Sequence, residues 1–523
     1  MNQRRLFLGC FFSLIATAFA FAVRGAILND LAKYFNLSNE QLGYLGGANG
    51  APFAITIILL SLVIDKIGYG RAMVFGFCAH FISALMTIFA TSFEMLYWGT
   101  FIFAIGNGTV EAVINPVVAT IFDKNKTHWL NILHAGWPGG MVLGGLLAIG
   151  ISFLGAGGTS FGDVWRWQIG VVLIPTIIYG IVLFGQKFPQ QERVAAGVPY
   201  IEMLREFGWA SAYICSFLLL SGMNQVLLVT GLPALPLVYQ ALLAIVPAAV
   251  FGFYVKSFGR PMFVFLLLVM MLLATTELGT DSWISNIMQA VLKSETKGTL
   301  FLVYTSAIMF VLRFFAGPIV HRVSPLGLLA ICAAIASIGL FWLGSAGSAA
   351  GMLLAAATFY AFGKTFFWPT TLGVVSEQYP KGGALMINAI AGVGMLSVGA
   401  LGVPAIGTVQ DRDFAQILEE RDPALVKQVT VTKEGFFGES VSLDQSKVET
   451  LDATQKELVT AVVTESKQGT LKKIAVLPAI MCVCYLILIG YFRSRGGYQA
   501  QVLTGHAAED EKFTGGTRGP HEA

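Results

Sequence analysis

Charge is what this chain has least of. Of its 523 residues only 12% are Asp, Glu, Lys or Arg, about half the share usual in soluble domains, while 55% are hydrophobic and mean hydropathy is +0.71. That scarcity excludes a water-soluble globular protein and leaves a polytopic helical membrane protein. Cysteine is scarce too, and Cys10, Cys78, Cys215, Cys332, Cys482 and Cys484 fall in apolar stretches without the spacing of a zinc site or a disulfide framework. They read as packing residues. The sequence offers no phosphate-cradling glycine loop, nucleophile–base pair or metal-ligand cluster, so no cofactor or metal is expected and an enzyme is disfavoured. The net charge of +3 is small and lies mainly in short connections, which leaves nucleic acid out as a partner and the lipid bilayer in.

What the chain does have is long apolar runs. A spanning helix needs about 20 apolar residues, and fourteen runs are expected to span, at 6–28, 42–64, 72–91, 96–120, 130–154, 165–186, 207–230, 232–255, 261–289, 298–320, 326–345, 348–373, 382–408 and 472–492. The opening MNQRRLFLGCFF resembles a lipoprotein signal, but its apolar stretch before Cys10 is too short and hydrophobicity continues to about residue 28. It reads as an uncleaved first span. The connections DKIGYGR, DKNKTH, KSFGR, HRVSP and RSRGG share one side in this scheme and are basic, which makes that side, with both termini, the cytoplasmic face of a cell inner (plasma) membrane.

The expected plan is all-α. Residues 1–190 form one six-helix bundle, 191–260 a linker with two inserted spans, and 261–408 the first five helices of a second bundle. A long polar extracytoplasmic loop with surface helices at 409–470, a last span at 471–495 and a disordered cytoplasmic tail at 496–523 complete it.

The two halves carry an internal repeat. VEAVINPVV precedes WLNILHAGWPGGMVLGG in the first, and GKTFFWPTT precedes ALMINAIAGVGMLSVG in the second. Each has a charge, a proline five residues later, a polar loop, then a helix with Asn and close-packed glycines. Glu111 with Pro116 therefore matches Lys364 with Pro369. Six plus six helices about a pseudo-two-fold axis along the membrane normal resembles the major facilitator superfamily, here with two extra helices between the bundles. SLVIDKIGYGR resembles that superfamily's signature loop in Asp65, Lys66, Gly68 and Arg71, with Ser61 where glycine is usual; GPIVHR keeps Gly317 and Arg322 but has His321 in place of the acid. Both loops are expected to latch one bundle to the other.

Within the superfamily, Glu111, Asn115, Pro116, Leu130 and Asn131 resemble the fucose:proton symporter family, as does RGAILNDLAKYF of the first span. The resemblance implies a midplane site between the bundles, where Glu111 helps recognise a sugar and carries the coupling proton beside a first-helix aspartate. Asn29 and Asp30 stand at that position. Peptide transporters of the same superfamily also carry two extra helices at the midpoint.

A carboxylate near the bilayer centre costs roughly 2.5 to 3.5 kcal/mol on insertion scales unless it is paired, protonated or wet. Glu111 is therefore a coupling or substrate group, or a structural carboxylate facing Lys364 across the cavity. Lys364 either neutralises Glu111 or Glu277, or receives an anionic group of the cargo. Glu277 and Asp281 are four apart, so they share a helix face; they line the cavity for coupling, hold sodium near an unwound turn at Gly279, or are merely solvated. Arg24 is expected to pair with Asp30, and Arg313 to pack or latch. His134 either meets substrate or is a core histidine. Trp137 and Trp368 suit the apolar face of a sugar ring, with Asn115, Asn131 and Asn388 for its hydroxyls. The function expected is cation-coupled symport of a small polar solute such as a sugar, with the proton ahead of sodium. Alternatives are an efflux antiporter or a transport-inactive sensor.

Overall fold

The computed structural model describes residues 2–37, 39–156, 163–229, 235–320, 322–435, 438–501 and 503. Apolar residues all round the chain build helices that leave no backbone group unpaired in lipid. The first half runs through α1 (Gln3–Ala26), α2 (Leu28–Tyr34), α3 (Asn39–Ile67), α4 (Tyr69–Ile88), α5 (Phe93–Ile121), α6 (Lys126–Ala156), α7 (Val164–Gly170) and α8 (Leu173–Leu183). α1 packs on α6 and α8, and α5 on α3 and α4. A short α9 (Glu192–Ala195) then leads into α10 (Tyr200–Val229) and α11 (Leu237–Val255).

The second half begins with α12 (Pro261–Ala274), a π-helical turn at Thr275–Gly279 and α13 (Thr280–Leu292), followed by α14 (Glu295–Arg313), α15 (Ala316–Val320), α16 (Pro325–Leu343), α17 (Ala350–Lys364) and α18 (Phe367–Gln378). α19 (Gly383–Ser397) passes through a second π turn into α20 (Val403–Arg421). The two halves meet where α3 lies on α19 and where α6 lies on α14 and α18. α10 packs on α3, α12 and α19, so it covers one of these seams. α11 sits outside it with Val238, Val250 and Phe253 exposed, a face suited to acyl chains.

Twelve helices among the described residues are long and apolar enough to cross a membrane, where the sequence suggests fourteen. The runs at 207–230 and 298–320 also form helices, α10 and α14, which are not among the twelve. α10 opens on the charged stretch YIEMLREF and kinks at Gly208 (φ 66°), and α14 begins with Glu295 and Lys297 and ends on Arg313.

The polar stretch 409–470 is folded rather than looped. α20 continues to Arg421, then α21 (Pro423–Val429), an antiparallel hairpin of β1 (Thr430–Gly435) and β2 (Gly438–Leu443), α22 (Gln445–Glu449) and α23 (Ala453–Ile474) return the chain to α24 (Val476–Arg493). Phe414, Leu418, Leu425, Val429, Val459 and Val462 give this cap its own core. The tail begins ordered as well. Tyr498 is fully buried, and its hydroxyl donates to Glu377 at 2.8 Å. Residues 504–523, where disorder is expected, lie outside the described residues.

Candidate functional site

Three prolines determine how the bundles grip each other. A proline has no N–H to give to the carbonyl four residues back, so that carbonyl needs another donor. Pro116 leaves the Ala112 carbonyl free, and Asn388 Nδ2 donates to it at 2.9 Å from the other bundle. Pro138 leaves the His134 carbonyl free and Pro369 that of Thr365. Arg313 serves both, through Nη1 at 2.5 Å and Nε at 2.7 Å. Its remaining Nη2 donates to Glu277 Oε1 at 3.0 Å. One guanidinium thus joins α14 to α6, to the break after α17 and to the π turn. That wide turn exposes the Thr276 carbonyl, which Tyr360 OH caps at 2.6 Å.

On the facing side, Asn115 Nδ2 donates to Glu111 Oε2 at 2.8 Å, and His134 Nε2 lies 2.8 Å from Asn115 Oδ1. Glu111 is 4% exposed and no cation pairs with it among the described residues. Between these groups lies a cavity of about 20 Å³, lined by Glu111, His134, Trp137, Glu277, Arg313 and Trp368, with Phe53, Ile57, Leu278 and Met395 supplying its apolar walls. That is room for about one water molecule. No solute fits until the bundles part.

Several expectations change here. Lys364 pairs with Asp281 rather than with Glu111 or Glu277; it is fully buried and lies 5.1 Å from the centre of the Tyr360 ring. Asp30 is exposed on α2, away from the buried network, while the side chain of Asn29 lies outside the described set. Arg24 ignores Asp30; it donates to Ser83 at 2.8 Å, Thr87 at 3.1 Å and Thr100 at 3.4 Å. The segment around Gly279 is a continuous π-helical turn, not an unwound one. Asn131 and Asn388 work as donors across the bundle interface, Asn131 to Thr370 Oγ1 at 3.2 Å, rather than lining the cavity.

The signature loop also grips something other than the opposite bundle. Asp65 pairs with Arg193 of α9, Lys66 lies 5.3 Å from the Tyr200 ring centre, and Tyr200 OH donates to the Leu62 carbonyl at 2.9 Å. Arg71 and Arg322 are exposed, and His321 lies outside the described residues. The contacts that close this end are Lys126 Nζ with Glu192 at 2.6 Å and with the Ser376 carbonyl at 3.4 Å, and Thr127 Oγ1 donating to Glu377 at 2.6 Å. The linker and the C-terminal Tyr498 therefore clasp the same end as the basic connections.

Arg313 was legible only as a packing or latch residue. Its signal was the proline pattern, since Pro138 and Pro369 each leave a buried carbonyl that only a tertiary donor can satisfy.

The comparisons with known proteins agree with this architecture. The model of the Major Facilitator Superfamily matches residues 10–404. The chain is similar to the Protein TsgA homolog of Buchnera aphidicola subsp. Schizaphis graminum, 29% identical over 126 residues, covering 24% of this chain and 33% of that protein. It is also similar to the gentisate transporter of Corynebacterium glutamicum, 23% identical over 200 residues, covering 38% and 44%. The chain spans less than half the length of either relative. Among solved structures it is similar to FucP, the Escherichia coli fucose:proton symporter, in the outward conformation, with TM-score 0.57 and 13% identity, covering 92% of this chain and 98% of that one. At that identity the likeness is one of fold.

Proposed function

The chain belongs to the Major Facilitator Superfamily, and from that premise we propose that it couples proton entry to the symport of a small neutral polar solute, with sugars as the leading class. The observation that carries this reading is the charge count around the cavity. Glu277 is met by Arg313 and Asp281 by Lys364, whereas Glu111 is met only by the amide of Asn115. Holding a bare carboxylate there is costly, and a bound proton removes the cost. With Glu111 protonated the site is neutral overall, which suits a cargo recognised through hydroxyls and ring faces. Trp137 and Trp368 supply the faces.

When the bundles part, water reaches Glu111 and the proton can leave. The proton drives transport only to the extent that one state binds it more tightly than the other. Sodium would have to compete with the cations already held at Glu277 Oε1 and Asp281 Oδ1. The basic connections support a cytoplasmic position for the clasped end and for both termini.

A second reading has one observation behind it. Arg313 borders the cavity, and one similar protein is a gentisate transporter, whose cargo is a carboxylate. An acid could compete with Glu277 for the guanidinium. Uptake into proteoliposomes of radiolabelled neutral sugars, acid sugars and gentisate, under separate proton and sodium gradients, distinguishes these. We expect proton-driven uptake of a neutral sugar, and in Glu111→Gln a fall to below about a tenth of it with exchange of solute across the membrane retained. Full proton-driven uptake by Glu111→Gln would remove the coupling role. Uptake of acids alone would shift the cargo to the second class, and no uptake of either would favour efflux or sensing.

A further inference from the structure

A second cavity, of about 500 Å³, opens at the clasped end, remote from the space between the bundles and sharing no lining residue with it. Its frame is rigid. Gly208 presses on the backbone of Gly259, where an added Cβ would come within 2.0 Å, and Trp209 N to Ser257 O (3.0 Å) and Arg260 N to Glu206 O (3.1 Å) tie α10 to the start of α12. Arg260 is spent on Glu206, which it grips through two hydrogen bonds of 2.7 and 2.6 Å.

Two further cations at the cavity have no carboxylate partner among the described residues. Lys381 is exposed in the turn after α18, and Arg495 lies 4.6 Å from the centre of the Tyr491 ring beyond α24. Tyr379 lines the same cavity; the residue is 7% exposed, and its hydroxyl is buried without a hydrogen-bond partner. A buried hydroxyl is rarely left so unless a ligand completes it. Met262, Phe265, Leu488 and Ile487 give the cavity an apolar wall, and Ile487 of α24 is 59% exposed.

We propose that this cavity binds the headgroup of an anionic phospholipid. The phosphodiester sits between Lys381 and Arg495, the Tyr379 O–H donates to a phosphate oxygen, and the acyl chains leave along α24 past Ile487. Free cations beside an apolar wall at the level of a basic membrane interface are what an anionic headgroup requires. A soluble phosphate would have no use for that wall. The lipid would tie the frame of the inserted helices to α24.

The full-length protein, delipidated in detergent, would be titrated with phosphatidylglycerol or phosphatidylcholine, and bound lipid counted by native mass spectrometry. Phosphatidylglycerol should bind with one tight site that phosphatidylcholine does not fill. Affinity should fall about 5-fold in Lys381→Ala or Arg495→Ala and about 25-fold in the double variant, at roughly one surface charge each. Arg4→Ala with Lys187→Ala, exposed basic residues elsewhere, should leave the site intact. Tyr379→Phe, which keeps the shape of the wall, should narrow the preference for phosphatidylglycerol. Equal binding of both lipids, an unchanged tight site in the double variant, or displacement by glycerol 3-phosphate at equal concentration would each overturn the proposal.

Discussion

The helix α5 runs unbroken through Pro116, whereas its counterpart in the second half breaks between α17 and α18, four residues ahead of Pro369. Both prolines release a carbonyl, but the donors that answer differ. Ala112 receives the neutral amide of Asn388, and Thr365 receives the guanidinium of Arg313. The two buried cations of the second half are each matched by an acid, Glu277 for Arg313 and Asp281 for Lys364. The first half answers with a neutral amide, and its own acid, Glu111, has no cation partner among the described residues. One sequence device, used twice, gives one half a fixed charge network and the other a free carboxylate.

The largest effect expected on that difference comes from Arg313. Arg313→Ala strips two proline-freed carbonyls of their donor and leaves Glu277 buried without a cation; removing one member of a buried pair costs about 3 to 5 kcal/mol. Survival of monodisperse protein after a heating series, read by size-exclusion chromatography, should show a clear downward shift. Glu277→Gln added to Arg313→Ala should recover part of it. If the single variant is as stable as the parent, the arginine is not what holds the halves together.

Lys364 should matter less, although it is the more buried side chain. Its partner Asp281 is 20% exposed, so water can take over part of the charge, and Lys364→Ala should cost about 2 kcal/mol, between the ranges for exposed and buried pairs. The same comparison makes a sharper demand. Exchanging charges as Asp281→Lys with Lys364→Asp should restore part of the lost stability, while Glu111→Lys with Lys364→Glu should restore none. Rescue by the second pair would return Lys364 to the place across the cavity that symmetry alone suggests.

Symmetry was also the limit of what the sequence could tell. Hydropathy located the helices, and the repeat singled out Glu111, Lys364 and the paired prolines, because these are periodic or local features. Pairing between helices is neither. Asp281 was expected to share a helix face with Glu277, but which cation each meets depends on how α14 and α17 are rotated, and no spacing along one helix encodes that. The cap was expected only as surface helices on a loop, and its core was missed for another reason. Its polar surface lowers hydropathy below any membrane threshold, yet Phe414 and Leu418, or Val459 and Val462, stand at the three- and four-residue spacing of a helix with one buried face.

That cap offers the smallest and most local contrast with the buried bundles, because its charges are in water. Asp444 caps the start of α22, accepting from Ser446 N at 3.1 Å and from the Ser446 hydroxyl at 2.6 Å, and these hydrogen bonds hold its carboxyl below the usual aspartate range. A group whose folded value is depressed contributes stability above its unfolded value, near 3.8, and loses it as pH falls through the lower folded value. Protection of the α22 amides against hydrogen exchange, corrected for intrinsic rates, should therefore be constant from neutral pH down to about 4 and weaken below it. Asp444→Asn keeps an acceptor but cannot titrate, so its protection should be flat across that window. The same pH dependence in Asp444→Asn would place the sensitivity elsewhere, whereas its loss would show that the cap titrates through an exposed group.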